Sequence, residues 1–272
     1  MIPARPGRAK PFLAWFDLET DSIRSMSGHS KWSQIKRQKG VADIKKGAVF
    51  TKMAREIMLA AREGGGDPDS NFRLRLALDR ARAVNMPRDN IQRAIDRAVG
   101  GTDGAQVESV VYEGYGPGGV SVMVEAATDN RNRTASEIRA AFTRHNGKLG
   151  ESGSVQWLFE QKGIIEIDAN GKDADEVALT AIDAGAEDVE TEDGFITVYT
   201  PTASFEKVKA ALDKAGVSAE SAEVSMRPTN TVHLEGDQAR KVVKLVEALE
   251  DLDDVQKVHA NFEVPEEVLE TA

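Results

Sequence analysis

The chain has 272 residues, a net charge of -10, 40% hydrophobic residues and no cysteine, a composition that suits two or three domains with ordinary cores. The missing thiol excludes disulfides, thiolate nucleophiles and Cys-based zinc or iron–sulfur sites, and fits a reducing cytoplasm. No apolar stretch approaches the ~20 residues that span a bilayer.

Residues 1–25 do not read as a targeting signal. "PFLAWF" is too short for an apolar signal core, and Asp17, Glu19 and Asp21 depart from the acid-poor composition of transit peptides. The segment reads as a disordered leader, or as an upstream start with the original start at Met26. From Ser27 to Phe50 the chain then carries six cations (Lys31, Lys36, Arg37, Lys39, Lys45, Lys46) against one acid, Asp43. Charge is divided along the whole sequence: residues 26–97 hold 16 Lys/Arg and 8 Asp/Glu, residues 98–272 hold 15 and 34. One part suits a polyanion and the other repels it, which orients binding as well as permitting it.

The basic part is predicted to be helical. Phe50, Met53, Ala54, Ile57, Met58 and Ala61 recur at three- and four-residue spacing. Gly64-Gly65-Gly66 ends this helix, and Asp67 as N-cap with Pro68 in the first turn starts the next. Its stripe is Leu74, Ala77, Leu78, Ala81 and Val84, with Arg73, Arg75, Arg80 and Arg82 facing elsewhere. "NMP" breaks it, and Ile91, Ala94, Ile95 and Ala98 mark a third helix that stops at Gly100-Gly101.

After residue 101 the period changes. Val107, Val110, Val111 and Tyr112 are strand-like. Val120, Val122 and Val124 alternate with Ser121, Met123 and Glu125, and the turn-rich "EGYGPGG" between the two runs predicts a hairpin. A helix follows over about 134–145. "SVQWLFE" and "IIEID" read as paired strands around Gln161-Lys162-Gly163. A helix, a strand, a helix and a strand come after them, giving ββαβαβ over about 150–226. "TVHLEG", "DQARKVVKLVEALEDL" and "VQKVHANFEV" supply a further βαβ. The first ββα lacks its βαβ half and the tail lacks its ββα half, so the two are expected to join across the middle unit. The predicted fold class is multi-domain α and α+β: an all-α three-helix domain over 26–101, then two ferredoxin-like α+β domains. One of these is split (102–148 plus 228–264) and the other is inserted (149–227).

Gly114-Tyr115-Gly116-Pro117-Gly118-Gly119 formally matches G-x-G-x-x-G. A dinucleotide site needs a helix after the loop, whereas a strand follows here and Pro117 removes an N–H, so the run reads as a hairpin connection. His145, His233 and His259 are scattered and read as core, surface or single-contact residues, while His29 lies beside Lys31 in the basic leader. Asp173, Asp175 and Glu176 complement a helix start. Glu250, Asp251, Asp253 and Asp254 read as a solvated helix end. Trp32 is placed to stack on a base or to pack on the domain. "TDNRNRT" (Thr128 to Thr134) sits between a strand and a helix, where backbone N–H groups receive anions; Asn130 and Asn132 as turn formers with Thr134 as N-cap is the alternative. No catalytic residue, metal or cofactor is expected.

Met26-Ser27-Gly28-His29-Ser30-Lys31-Trp32, "NFRLRLALDRARAVNMPRDNIQRAI", "VYEGYGPGGVSVMVEAATDNRNRT" and "GSVQWLF" together closely resemble the YebC family, over about nine-tenths of the chain. The family includes a mitochondrial translational activator of cytochrome c oxidase. The resemblance implies three domains, one α+β domain interrupting the other. It also implies a cytoplasmic, non-enzymatic, nucleic-acid-binding regulator of gene expression, as a DNA-binding transcriptional regulator. The alternative is a ribosome- or RNA-associated translation factor that relieves stalling at proline-rich sequences. No helix-turn-helix with an obvious recognition helix is legible, which favours backbone contacts and leans toward irregular RNA. The expected contacts are His29, Lys31, Lys36, Arg37, Lys39, Lys45, Lys46, Lys52 and Arg55 on phosphate. Trp32 and Gln34 add stacking and hydrogen bonds, and Arg131 and Arg133 form a second contact. The partner is DNA or ribosomal RNA, with the ribosome itself implied by the translation reading; no membrane is expected.

Overall fold

The structure, a computed structural model, describes residues 46–100, 107–192 and 194–265. The expected leader over residues 1–25, and His29, Lys31, Trp32, Gln34, Lys36, Arg37, Lys39 and Lys45, lie outside the described residues.

Helix α1 (Lys46–Gly64) begins at Lys46 and buries Ile57, Ala60 and Ala61. It exits through Gly65, whose φ of +86° is open to glycine without strain. The next helix starts later than expected, as α2 (Phe72–Ala83) with Asn71 as its N-cap. Asp67 instead closes a turn, accepting from the N–H of Asp69 at 3.0 Å and from the Ser70 hydroxyl. Asn71 is the better cap because it also ties down α1. Its Oδ1 accepts from the Leu74 N–H at 3.0 Å while Nδ2 donates to the carbonyls of Ala60 and Gly65, each at 2.8 Å. Leu74, Ala77, Leu78 and Ala81 join Ile57, Ala60, Met86 and Ala94 in one core. Val84, expected in that stripe, is the C-cap and is 40% exposed. Helix α3 (Arg88–Val99) turns Ile91, Ile95 and Ala98 onto the same core.

Strands β1 (Glu108–Tyr115) and β2 (Ser121–Thr128) form the expected hairpin, joined by a short 3-10 turn at Pro117–Gly119. With β3 (Lys148–Leu149) and β9 (Val255–Ala260) they make a sheet of order β3-β1-β2-β9. Strand β9 comes from the tail and pairs antiparallel with β2, the joining of the two halves that the element order called for. Helices α4 (Arg131–Arg144) and α7 (Gly236–Glu250) cover one face. There Val120, Val122 and Val124 meet Ile138, Phe142, Val242 and Val246. The other face is buried too: Met123 packs on Val155, Leu158 and Phe159, so both halves of the β2 alternation are interior.

The middle unit departs from ββαβαβ. "SVQWLFE" is not a strand of its own: Gln156–Leu158 is a 3-10 turn, and β4 (Phe159–Asp168) runs unbroken through Gly163. Gly163 serves close approach rather than a turn, since a Cβ there would stand 2.4 Å from Thr200 Oγ1 and 2.5 Å from the Phe205 ring. The elements are β4, α5 (Ala174–Ala184), β5 (Asp188–Glu192), β6 (Phe195–Pro201), α6 (Phe205–Lys214) and β7 (Ser221–Pro228). This βαββαβ succession, with an antiparallel sheet of order β5-β6-β4-β7, is the ferredoxin-like arrangement. Its core sets Ile165, Ile167, Ile196 and Val198 against Val177, Val208 and Leu212, and takes in Leu76 from α2. Phe72, also from α2, meets Phe205 edge-on with ring centroids 5.7 Å apart.

The tail forms fewer strands in the main sheet than its βαβ pattern suggests. β8 (Val232–His233) pairs in parallel with β10 (Phe262–Glu263), away from the main sheet. Asn261 breaks the last strand because its Oδ1 accepts from the Ser121 N–H at 2.7 Å.

Candidate nucleic-acid interface

Lys46 is the first residue of α1, and Lys52 and Arg55 follow on it, where they reach the far end of the chain. Lys52 Nζ donates to the carbonyl of Glu250, the last residue of α7. Arg55 donates to the Asp253 carbonyl at 2.5 Å and pairs with Asp254 Oδ1 at 2.7 Å. The last carbonyls of a helix have no partners within it and sit at the negative end of its dipole, so Lys52 is well placed on Glu250, while Arg55 ties down the turn that follows.

Arg131 and Arg133 are also engaged. Arg131 grips Glu108 with two bonds of 2.5 and 2.6 Å; this hydrogen-bonded grip lowers the Glu108 pKa and raises that of Arg131. The pair is largely exposed. Arg133 bonds Asp254 at 2.7 Å and Asp129 at 2.8 Å, and its pKa is raised by the two carboxylates. "TDNRNRT" enters the helix early: Asn130, not Thr134, is the N-cap of α4, its Oδ1 accepting from the Arg133 N–H at 3.1 Å. Thr134 instead donates its hydroxyl to Asp254 at 2.5 Å.

Asp254 is therefore a hub, and it is only 2% exposed. Expected as part of a solvated helix end, it accepts from Arg55, Arg133, Thr134 and Thr128. Burial pushes its pKa up, but the Thr134 hydroxyl and the arginines outweigh burial and hold it down. The anion next to the start of α4 is thus the protein's own carboxylate. Sequence separation hid this: Asp254 lies on the turn before β9, and only its place four residues past the end of α7 could have hinted at it.

Other arginines of the helical module are paired as well, most of them in the open. Arg73 pairs with Glu63, Arg75 with Glu206, Arg82 with Asp79, and Arg80 with Glu56 and Glu223. Glu223 also binds Lys257 at 2.9 Å, and nearby His259 shares 2.9 Å with Glu125. These charges join α1, α2, β2, β7 and β9. The glycine run from Gly114 to Gly119 is followed by β2 and not by a helix. Among the described residues no three His, Asp or Glu side chains form a candidate metal site, and no helix is long and apolar enough to cross a membrane.

A helical module leading into two antiparallel sheets, with a C-terminal strand returning to the first of them, defines a multi-domain α and α+β protein. The model of the TACO1/YebC protein N-terminal domain matches residues 30–101, and that of the TACO1/YebC second and third domain matches residues 107–262. The chain belongs to the TACO1/YebC family. A relative from Roseiflexus castenholzii named "Probable transcriptional regulatory protein" is 56% identical over 250 residues, covering 90% of this chain and 98% of its own. One of the same name from Trichlorobacter lovleyi is 53% identical over 245 residues, covering 90% and 99%. The crystal structure of a conserved hypothetical protein from Aquifex aeolicus superposes with a TM-score of 0.76 at 49% identity, covering 82% of this chain and 93% of that one.

Proposed function

We propose that the chain is a nucleic-acid-binding regulator of gene expression, a DNA-binding transcriptional regulator of the TACO1/YebC type, non-enzymatic and cytoplasmic. The name these relatives share supports the regulatory role. The observation that carries nucleic-acid contact is the division of charge: 16 cations against 8 acids over residues 26–97, and 15 against 34 beyond. In this reading residues 26–101 act as the basic domain, with 102–148 plus 228–264 and 149–227 as the acidic α+β domains. Phosphate contact falls to His29, Lys31, Lys36, Arg37, Lys39, Lys45 and Lys46, with Trp32 and Gln34 beside them. Lys52, Arg55 and Arg133 would have to exchange an internal carbonyl or carboxylate for phosphate, so they contribute less than the leader. Arg131 would exchange only an exposed partner.

The test is binding of the full chain to labelled duplex DNA over a salt series. About five phosphate contacts give a slope of log K against log salt near -4.5. Lys36→Ala/Arg37→Ala/Lys39→Ala should flatten that slope and weaken all sequences alike. A slope near zero would overturn the reading, and co-sedimentation with ribosomes lost in the triple variant would replace DNA by the translation machinery.

A further inference from the structure

Two segments that stand out in the sequence, "EGYGPGG" and "GSVQWLF", meet on the surface of the acidic half. Trp157 is 72% exposed and Tyr115 41% exposed. Isolated exposed aliphatics are common, but a tryptophan in this state leaves a large apolar ring in water. The two rings converge: the Tyr115 hydroxyl donates to the carbonyl of Ser154 at 3.1 Å, and Trp157 Nε1 donates to the same oxygen at 3.2 Å.

The platform beneath them is rigid. Glu113, two residues before Tyr115 on the same face of β1, is 2% exposed. Its carboxylate accepts the N–H groups of Gly153 at 2.6 Å, Val155 at 2.7 Å and Gln156 at 2.9 Å. Burial opposes the charge, but these backbone donors outweigh it and lower the Glu113 pKa. The loop bearing Ser154 and Trp157 is thereby locked to the strand bearing Tyr115, and the rings need little ordering to bind.

The surroundings are cationic in an otherwise acidic half. Lys148 is the β-partner of Tyr115. The turn at Gly147 abuts the Tyr115 backbone, and beside it His145 has its pKa lowered by burial and by Arg144 and Lys244. Arg144, Lys148 and Lys244 are all exposed, and none of them makes a side-chain hydrogen bond or ion pair among the described residues. The acids nearby are Glu151 on the neighbouring loop and, along α7, Asp237, whose pKa Lys241 and, to a lesser degree, Lys244 lower. Exposed aromatic faces beside exposed cations are what unpaired bases and their phosphates bind; a duplex keeps its base faces stacked away.

We propose that Tyr115 and Trp157, with Arg144, Lys148 and Lys244 around them, form a second contact surface that binds single-stranded nucleic acid by stacking unpaired bases. Only the class of ligand rests on the function proposed above; the surface is separate from the basic leader. Trp15, Trp32 and Trp157 are the three tryptophans, so the full chain carrying Trp15→Phe and Trp32→Phe reports on Trp157 alone. Saturation with a 12-nucleotide oligouridylate or oligothymidylate should quench its emission. In the parent chain, Trp157→Ala should weaken strand binding at least about fivefold, the low end for one lost stacked base. Trp157→Phe should retain most of it, and duplex binding should be unchanged. An RNA strand held more tightly than its DNA counterpart would identify the 2′-hydroxyl as part of the ligand; equal binding would identify the base and phosphate alone. Unquenched Trp157 and unaltered strand affinity in both Trp157→Ala and Tyr115→Ala would overturn the proposal, including in favour of a protein partner. Loss of duplex binding in the Lys36/Arg37/Lys39 variant, with strand stacking intact, would separate this surface from the leader.

Discussion

Arg55 on α1 and Asp254 on the turn before β9 are joined at 2.7 Å, the arginine side chain 15% and the aspartate side chain 3% exposed. The pair ties the helical module to the first sheet, with Arg133 and Thr134 completing it from α4 and Thr128 from the end of β2. Asp254→Ala leaves the largely buried Arg55 without its carboxylate, while Arg133, 42% exposed, keeps Asp129 and the Thr134 hydroxyl keeps Thr128 and the Asn130 carbonyl. Removing one partner of a buried pair costs about 3–5 kcal/mol, and the partners that remain hold this loss toward the low end. Urea unfolding should show a loss of that order; a loss below about 1 kcal/mol would mean that water replaces the carboxylate freely.

Acid should weaken the junction through a different carboxylate. Burial raises the Glu223 pKa, but Lys257 at 2.9 Å and Arg80 at 3.4 Å more than compensate, and it is held down to about 2 against an ordinary 4.5. A pKa lowered in the folded state gives stability that is complete above the unfolded value and lost as pH falls through the folded one. The melting temperature should therefore decline as pH drops from 4.5 toward 2, with Asp254 adding to the same trend. Glu223→Gln removes part of the decline. Parallel pH profiles for the variant and the parent would show that Glu223 is not the group being titrated.

The unbroken β4 strand depends on a missing side chain. Gly163→Ala puts a methyl group 2.4 Å from Thr200 Oγ1 and 2.5 Å from Phe205, which is itself 1% exposed. Phe205 is held by Phe72 of α2, so it has little room to retreat. Overpacking of this kind costs about 1–3 kcal/mol. Thermal unfolding measures it, and an unchanged midpoint would show that the α6 end of the core yields easily.

The helical module was legible because its period is local: Ile57, Leu74, Leu78, Ala94 and their neighbours are buried where a 3.6-residue repeat puts them. The split sheet was legible from element order alone. Strand β5 was not, because "DVETE" is acidic and lies at the edge of its sheet, where neither face needs an apolar run. The continuity of β4 through Gly163 was hidden because glycine reads as a turn unless the ring it accommodates is known. For the candidate site, sequence revealed which cations exist and not which are spent. Lys52 and Arg55 find their partners 198 residues away, a distance no local pattern encodes. The aromatic pair was hidden likewise: Tyr115 and Trp157 meet only because Glu113 folds the later loop onto β1.

Arg131 and Arg133, two residues apart and assigned one role by sequence, should separate on mutation. Arg131 meets Glu108 in the open, with side chains 62% and 42% exposed, and an exposed pair contributes about 0–1 kcal/mol. Arg133 meets the buried Asp254, so Arg133→Ala should destabilise the fold clearly more than Arg131→Ala in urea titrations. Binding should rank them in reverse. Arg131 can release Glu108 at little cost and turn to a phosphate, so its removal should reduce the salt slope by about 1. Arg133 can do so only by uncovering Asp254. If Arg131→Ala leaves both stability and salt slope untouched, the second contact does not include it, and Glu108 is its whole purpose.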